Sequence, residues 1–333
     1  MWLALLRQRK STSMERIRFK NLGGYSLIEL MVAACLGLFV ISAIHGISIK
    51  TLWILQEIKA SGEVLENGQY LSGLLSREIG LAGFYGDFDY AYSAYMPSPM
   101  PSPDMCQFMS KQKVTQAMPY PLIGIDNISS GYQLCGGETL LSGTDVILLR
   151  RSSVIKQSPR YKLTAEQIYI QGSWAGVTPV VDRGDNAAAF NLLQSGERAP
   201  VRAWQQTIYY VSKDNVFKRR RYLKGKYLRS EPLVNDIQDF QVEYAVSSSV
   251  GVSPCSLDYL SAPLTDSQWQ RVIAVRFFIL ARSSWQGVSQ QGKLFDYAGK
   301  IFAVKSDGYY QLFSVLAPIM NKLPNRVIFD VKK

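Results

Sequence analysis

The chain has 333 residues, a formal net charge of +11 and a single histidine, with 47% apolar residues. That length fits one large domain or two small ones with a sizeable core. The lone histidine, His45, lies inside an apolar run. The rest of the chain can therefore build neither a Ser-His-Asp nor a Cys-His pair, nor a His-ligated zinc site. GxxxxGK[ST], GxGxxG and HExxH are missing. "GDFDYAYS" (86–93) has two alternating aspartates without the glycine and further ligands of a calcium loop. The pattern points away from an enzyme, and the 19 Tyr and 6 Trp favour a β-rich body.

Residues 1–24 hold six Lys or Arg against one Glu, so +5 of the charge lies there and +6 is left for the rest. Such a remainder makes a mildly basic surface rather than a dedicated nucleic-acid binder. From Leu27 to Leu55 the acid and base side chains are Glu29, His45 and Lys50 alone. As a helix this run spans about 30 Å of hydrocarbon. The preceding basic residues place its N-terminal side in the cytoplasm and the body outside. A secretory signal would carry its small-residue site after the apolar run. Here Gly23 and Gly24 come before it. Glu29 is the costly residue, worth several kcal/mol if unpaired in a bilayer. Gly37 and Gly46, with Ala33, Ala34 and Ala43, allow close helix approach, and His45 reads as a packing or interface residue.

"QEIKASGEVLENGQYLSGLLSREIGLAG" (56–83) is polar with apolar residues at Ile58, Leu65, Leu71, Leu74, Leu75, Ile79 and Ala82. The spacing from 71 on is a 3.6-period stripe and predicts one helix from about 26 to about 80, its second half laying that stripe on the body. Gly62, Gly68 and Gly73 would loosen it by up to about 1 kcal/mol each. Residues 84–140, with "YMPSPMPSPDMC", read as loops. Strands are expected at 144–153, 206–212, 215–223, 240–246 and 272–283, with "KDN" (213–215) as a hairpin turn. In the last strand Ile273, Val275, Phe277, Ile279 and Ala281 line one face and Arg276 and Arg282 the other, as on a half-buried antiparallel strand. "FKRRRYLKGKYLR" (217–229) invites a nucleic-acid reading. Alternation, however, sends Lys218 and Arg220 to one face and Arg219 and Arg221 to the other, which favours a solvated hairpin. No internal repeat is seen. The class is α+β, one long helix on an antiparallel sheet.

Cys35 lies in the apolar run, and Cys106, Cys135 and Cys255 lie in Pro-, Ser- and Gly-rich surroundings. Lone cysteines scattered in loops fit an oxidising compartment. Three allow one bridge. Cys106 with Cys135 closes the shorter loop and is preferred, worth roughly 3 to 4 kcal/mol by chain entropy; the alternative is that all three are reduced.

"GGYSLIELMVAACLGL" (23–38) resembles the class III N-terminal signal of type IV pilins, with Tyr25 and Ser26 where that family usually has Phe and Thr. The resemblance implies cleavage by a prepilin peptidase between Gly24 and Tyr25 and N-methylation of Tyr25. It also implies pairing of Glu29 with the free amine of a neighbouring subunit during assembly. Four further blocks resemble the PilW-type minor pilins. They are "LENGQYLSGLLSREIGLAGFYGD" (65–87), "GTDVILLRRSS" (143–153), "LVNDIQDFQVEYAV" (233–246) and "WQRVIAVRFFILARS" (269–283). Toward the C-terminus "LAPIMNK" keeps Asn321 without the arginine that usually precedes it.

The implied layout is a leader at 1–24 (a start at Met14 would give it ordinary length), a transmembrane helix at 25–55, an amphipathic continuation at 56–83 and a periplasmic head at 84–333. The implied function is that of a minor pilin in the priming complex at a pilus tip. Its partners would be the peptidase, other minor pilins, the major pilin, a tip adhesin and the inner membrane, with no cofactor. The alternatives are a minor pseudopilin of a type II secretion system and a tip adhesion or DNA-uptake factor.

Overall fold

The computed structural model describes residues 24–88, 105–106, 109–157, 163–173, 178–247, 257–263, 265–283 and 290–322. Residues 1–23 of the expected leader 1–24 (Met14 among them), most of the Pro-rich segment and Cys255 lie outside these. The chain divides into two units, one ending at Ile54 and the other running from Leu55 to Lys333. Helix α1 (Leu27–Gly80) contributes to both.

In the first unit α1 is apolar on every side and buries none of its side chains. It is long and apolar enough to cross a membrane.

In the second unit α1 presents a narrow stripe of Ala60, Val64, Gly68, Leu71, Leu74, Leu75 and Ile79 to the core. The stripe expected from Leu71 onward is present, and it continues toward the N-terminus on residues other than the apolar Ile58 and Leu65. Ile58 is 59% and Leu65 42% exposed. Small residues take their place because the sheet comes close there. A Cβ on Gly68 would lie 2.1 Å from the Phe313 ring. Gly68 is thus a contact surface rather than a weak point, while Gly62 and Gly73 face open space.

Residues 84–140 hold more structure than their composition indicated. There α2 (Lys111–Ala117) is capped by Ser110, whose Oγ accepts from the Lys113 N–H at 3.3 Å. Strand β1 (Leu122–Ile125) and the hairpin of β2 (Gln133–Leu134) and β3 (Glu138–Thr139) follow. Next come β4 (Val146–Ser152), β5 (Ile168–Gln171), β6 (Val180–Arg183), β7 (Leu193–Gln194), β8 (Glu197–Arg198) and β9 (Val201–Val211). So β9 starts five residues earlier than its apolar alternation indicated. The large sheet closes with β10 (Phe217–Leu223), β11 (Lys226–Tyr227) and β12 (Glu231–Val234). Its central order is β1-β4-β9-β10, with β12 also on β10 and β5 also on β9, every pairing antiparallel. The β9–β10 turn carries Asn215 at φ 59°, a conformation asparagine tolerates better than most residues.

A second antiparallel sheet is built from β13 (Ile237–Ser247), β14 (Leu257–Leu260), β15 (Val272–Arg282) and β18 (Tyr310–Pro318), in the order β14-β13-β15-β18. Between β15 and β18 lie the hairpin strands β16 (Leu294–Tyr297) and β17 (Lys300–Ala303). Helix α3 (Asp266–Gln270) precedes β15 and is opened by a Thr265–Gln268 capping box. Strand β15 is covered on both faces, not half-buried as its alternation implied. Its outward Leu280 is fully buried with Val304 and Tyr310, and Phe278 meets the Tyr297 ring at 5.7 Å.

The two sheets are fastened at Asp145. Its backbone N–H donates to the Phe240 carbonyl at 2.9 Å, and its carboxylate accepts from the Val242 N–H at 2.7 Å and the Asn127 N–H at 2.9 Å. Burial pushes its pKa up to about 7, against the two backbone donors. Nearby, Asp239 accepts from the Tyr297 hydroxyl at 2.6 Å and pairs with Lys300 at 2.8 Å, which latches the β16–β17 hairpin.

Candidate assembly site

Helix α1 opens on a reciprocal pair. The Ser26 N–H donates to Glu29 Oε2 at 2.9 Å, and the Glu29 N–H donates to Ser26 Oγ at 3.2 Å. This is a capping box, which satisfies two amide donors that a helix start leaves open. It also sets a carboxylate against the positive end of the helix dipole. Ser26 was missed in the sequence reading, although Ser-x-x-Glu before an apolar run is a recognisable signal. In a single chain Glu29 thus has a local partner.

Tyr25 is 81% exposed, and nothing lies within 4 Å of where a Gly24 Cβ would sit. The fold makes no packing demand for glycine at 24. Gly37 and Gly46 are equally open, and Cys35 is a free, exposed thiol.

At the other end of α1, the contacts are polar and specific. Arg151 of β4 reaches Glu78 through both Nε and Nη2 at 3.3 Å. Ser283 Oγ donates to Glu63 Oε2 at 3.1 Å. Asn321, in a 3-10 turn after β18, donates to the Ala82 carbonyl at 3.1 Å and the Gly80 carbonyl at 3.5 Å. It therefore satisfies one acceptor that the end of α1 leaves open, at Gly80, and ties down the turn that follows, at Ala82. Lys322 beside it donates to the Gln270 carbonyl at 2.8 Å, and burial lowers its pKa to about 8.

The basic run on β10 is paired within the head, more than a solvated hairpin requires, while Arg221, Lys224, Lys226 and Arg229 are exposed as expected. Arg219 and Arg221 both pair with Glu231, at 2.8 and 2.5 Å. Burial opposes the Glu231 charge, but the two guanidiniums hold its pKa below the usual value. Lys218 pairs with Glu138, which also accepts from the Tyr210 hydroxyl at 2.6 Å. Arg220 donates to the carbonyls of Leu134 and Leu228, both at 3.1 Å, and lies 5.8 Å over the Tyr227 ring. Cys106 and Cys135 are bonded to each other, with Cα atoms 5.0 Å apart. Among the described residues no cluster of His, Cys, Asp and Glu could hold a metal.

Residues 208–321 match the family described as Type IV Pilus-assembly protein W. The chain is similar to PilW-type pilus-assembly proteins. The matched third begins in β9, contains the basic hairpin and the whole second sheet, and ends on Asn321. The helix start and the 143–153 block lie outside it. No curated protein matches the chain. Among solved structures, a type IV-like pilin from Thermus thermophilus aligns at 10% identity, covering 78% of this chain and 97% of its own, with a TM-score of 0.37. The α+β class, with one long N-terminal helix and antiparallel sheets, is read from the elements described above.

Proposed function

We propose that the protein is a minor pilin of a type IV pilus. It is made as an inner-membrane precursor with its head in the periplasm, cut between Gly24 and Tyr25 and methylated at Tyr25. It then joins other minor pilins, the major pilin and a tip adhesin in the complex that primes assembly. The observation that carries this reading is a PilW-like segment on the same chain as an exposed apolar helix opened by Glu29. Four cations of the basic hairpin, Lys218 to Arg221, already have partners within the head, which weakens the DNA-uptake alternative.

The capping box makes a sharp test possible. Glu29→Gln keeps an oxygen for the Ser26 N–H but removes the charge, whereas Ser26→Ala keeps the charge and weakens the cap. If the charge pairs with the amine of a neighbouring Tyr25, Glu29→Gln enters the membrane, is cleaved and still fails to co-purify with the other minor pilins. The association falls by a factor of about 100, equivalent to about 3 kcal/mol for a broken buried pair. Ser26→Ala assembles. Normal assembly by Glu29→Gln would leave Glu29 a cap only. Separately, N-terminal sequencing should find Tyr25 first, and Gly24→Arg should block processing.

A further inference from the structure

One face of the large sheet holds a charge that no ion pair among the described residues answers. Strands β4 and β9 set Arg150 opposite Gln206 and Ser152 opposite Trp204. Positions two apart on a strand share a face, so these four side chains form one patch. Arg150, Ser152 and Trp204 are all 0% exposed and Gln206 is 1%. The guanidinium donates from Nε to Gln206 Oε1 at 3.0 Å and from Nη1 to the Tyr120 carbonyl at 3.1 Å. Its Nη2, the Trp204 Nε1 and the Ser152 Oγ have no hydrogen-bond partner among the described residues. The titratable side chains near Arg150 are the phenols of Tyr227, Tyr85 and Tyr120, which carry no charge at neutral pH. Burial lowers its pKa to about 10, so it keeps its charge at neutral pH.

A buried cation is normally paired, and a buried donor is normally bonded. Here three unpartnered groups on adjacent positions can all donate. A single acceptor shared by these neighbouring positions would answer all three, and one that also balances Arg150 carries negative charge. The face is closed over by side chains, with the Tyr85 ring stacked on Trp204 at 5.9 Å and its hydroxyl donating to the Met118 carbonyl at 2.8 Å. Only a small occupant fits such packing. We propose that Arg150, Ser152 and Trp204 bind one small inorganic anion of halide size inside the head. A water molecule in the same place would satisfy donors but leave the charge.

The test is thermal unfolding of the full chain in detergent, with sodium chloride exchanged for sodium gluconate at constant ionic strength. A ligand bound by the folded state alone raises the midpoint with the logarithm of its concentration. The wild type should show that rise for chloride and for bromide. Trp204→Phe keeps an aromatic ring under Tyr85 but removes the indole donor, and should need at least tenfold more chloride for the same rise. Arg150→Met should lose the response if it folds. A wild-type midpoint equal in chloride and gluconate would overturn the proposal, as would a Trp204→Phe chloride response equal to that of the wild type.

Discussion

The two stretches of α1 are continuous in sequence and opposite in design. Before Ile54 the helix is apolar on every side and its side chains are exposed. After Leu55 it is mostly polar, and its buried stripe is narrow and partly made of Ala60 and Gly68. The first composition is stable only in an apolar surrounding supplied from outside, by lipid or by other helices. The second is completed by its own chain, through Phe313, Arg151, Ser283 and Asn321. Apolar content alone therefore does not tell how a helix is held; the size of the residues on its stripe does.

Substitutions at matched positions should break this contrast where it is real. Leu75→Ala removes a fully buried side chain and should lower the stability of the head by about 2 to 5 kcal/mol in chemical unfolding. Ile41→Ala, at a 64% exposed position of the first stretch, should leave head unfolding unchanged and act only on membrane retention or assembly.

A pH series separates the stretches next. The Asp145 carboxyl has its ordinary value near 3.8 in the unfolded chain and is pushed up to about 7 in the fold. The folded state holds that proton longer, so stability is lost as pH rises between those values. Asp145→Asn cannot titrate there and also loses one acceptor for a backbone N–H. Its deficit relative to wild type should be largest near pH 4 and shrink by up to about 4 kcal/mol by pH 8. A deficit constant across that range would show that the sheet junction is indifferent to the charge.

Gly68→Ala places a methyl against the Phe313 ring. It should cost about 1 to 3 kcal/mol despite the better helix propensity of alanine. Gly46→Ala, with nothing within 4 Å, should cost the single chain nothing. The smallest expected effect is that of Asn321→Ala, about 1 kcal/mol for the loss of the bonds to Ala82 and Gly80, read as faster amide exchange in the last turn of α1.

Much of the architecture was legible. The apolar run, the stripe from Leu71 to Ile79, the turn at Asn215 and the strand at 272–282 follow from periodicity and turn chemistry, which are local. What was not legible depended on distant partners. Ile58 and Leu65 drew attention by their apolar bulk, yet the core needed Ala60, Val64 and Gly68 because β18 passes close to the helix. The cations on β10 looked solvated because Glu138 lies 80 residues from its partner Lys218. At the helix start the reverse held. Ser26 forms a short-range capping box with Glu29, a signal present in the sequence but hidden behind the more demanding question of the charge.

The bond from Asn321 to the Ala82 carbonyl joins residues 239 positions apart. Translation delivers α1 well before Asn321, so the final turn of that helix stays unfinished while the intervening strands are made. Closing so long a loop early would be entropically costly, and the contact should form late. A chain interrupted before residue 321 would then expose a frayed helix end to proteases. The asparagine thus acts as a delayed seal: the end of the helix is closed only after the strands between the two residues have been made.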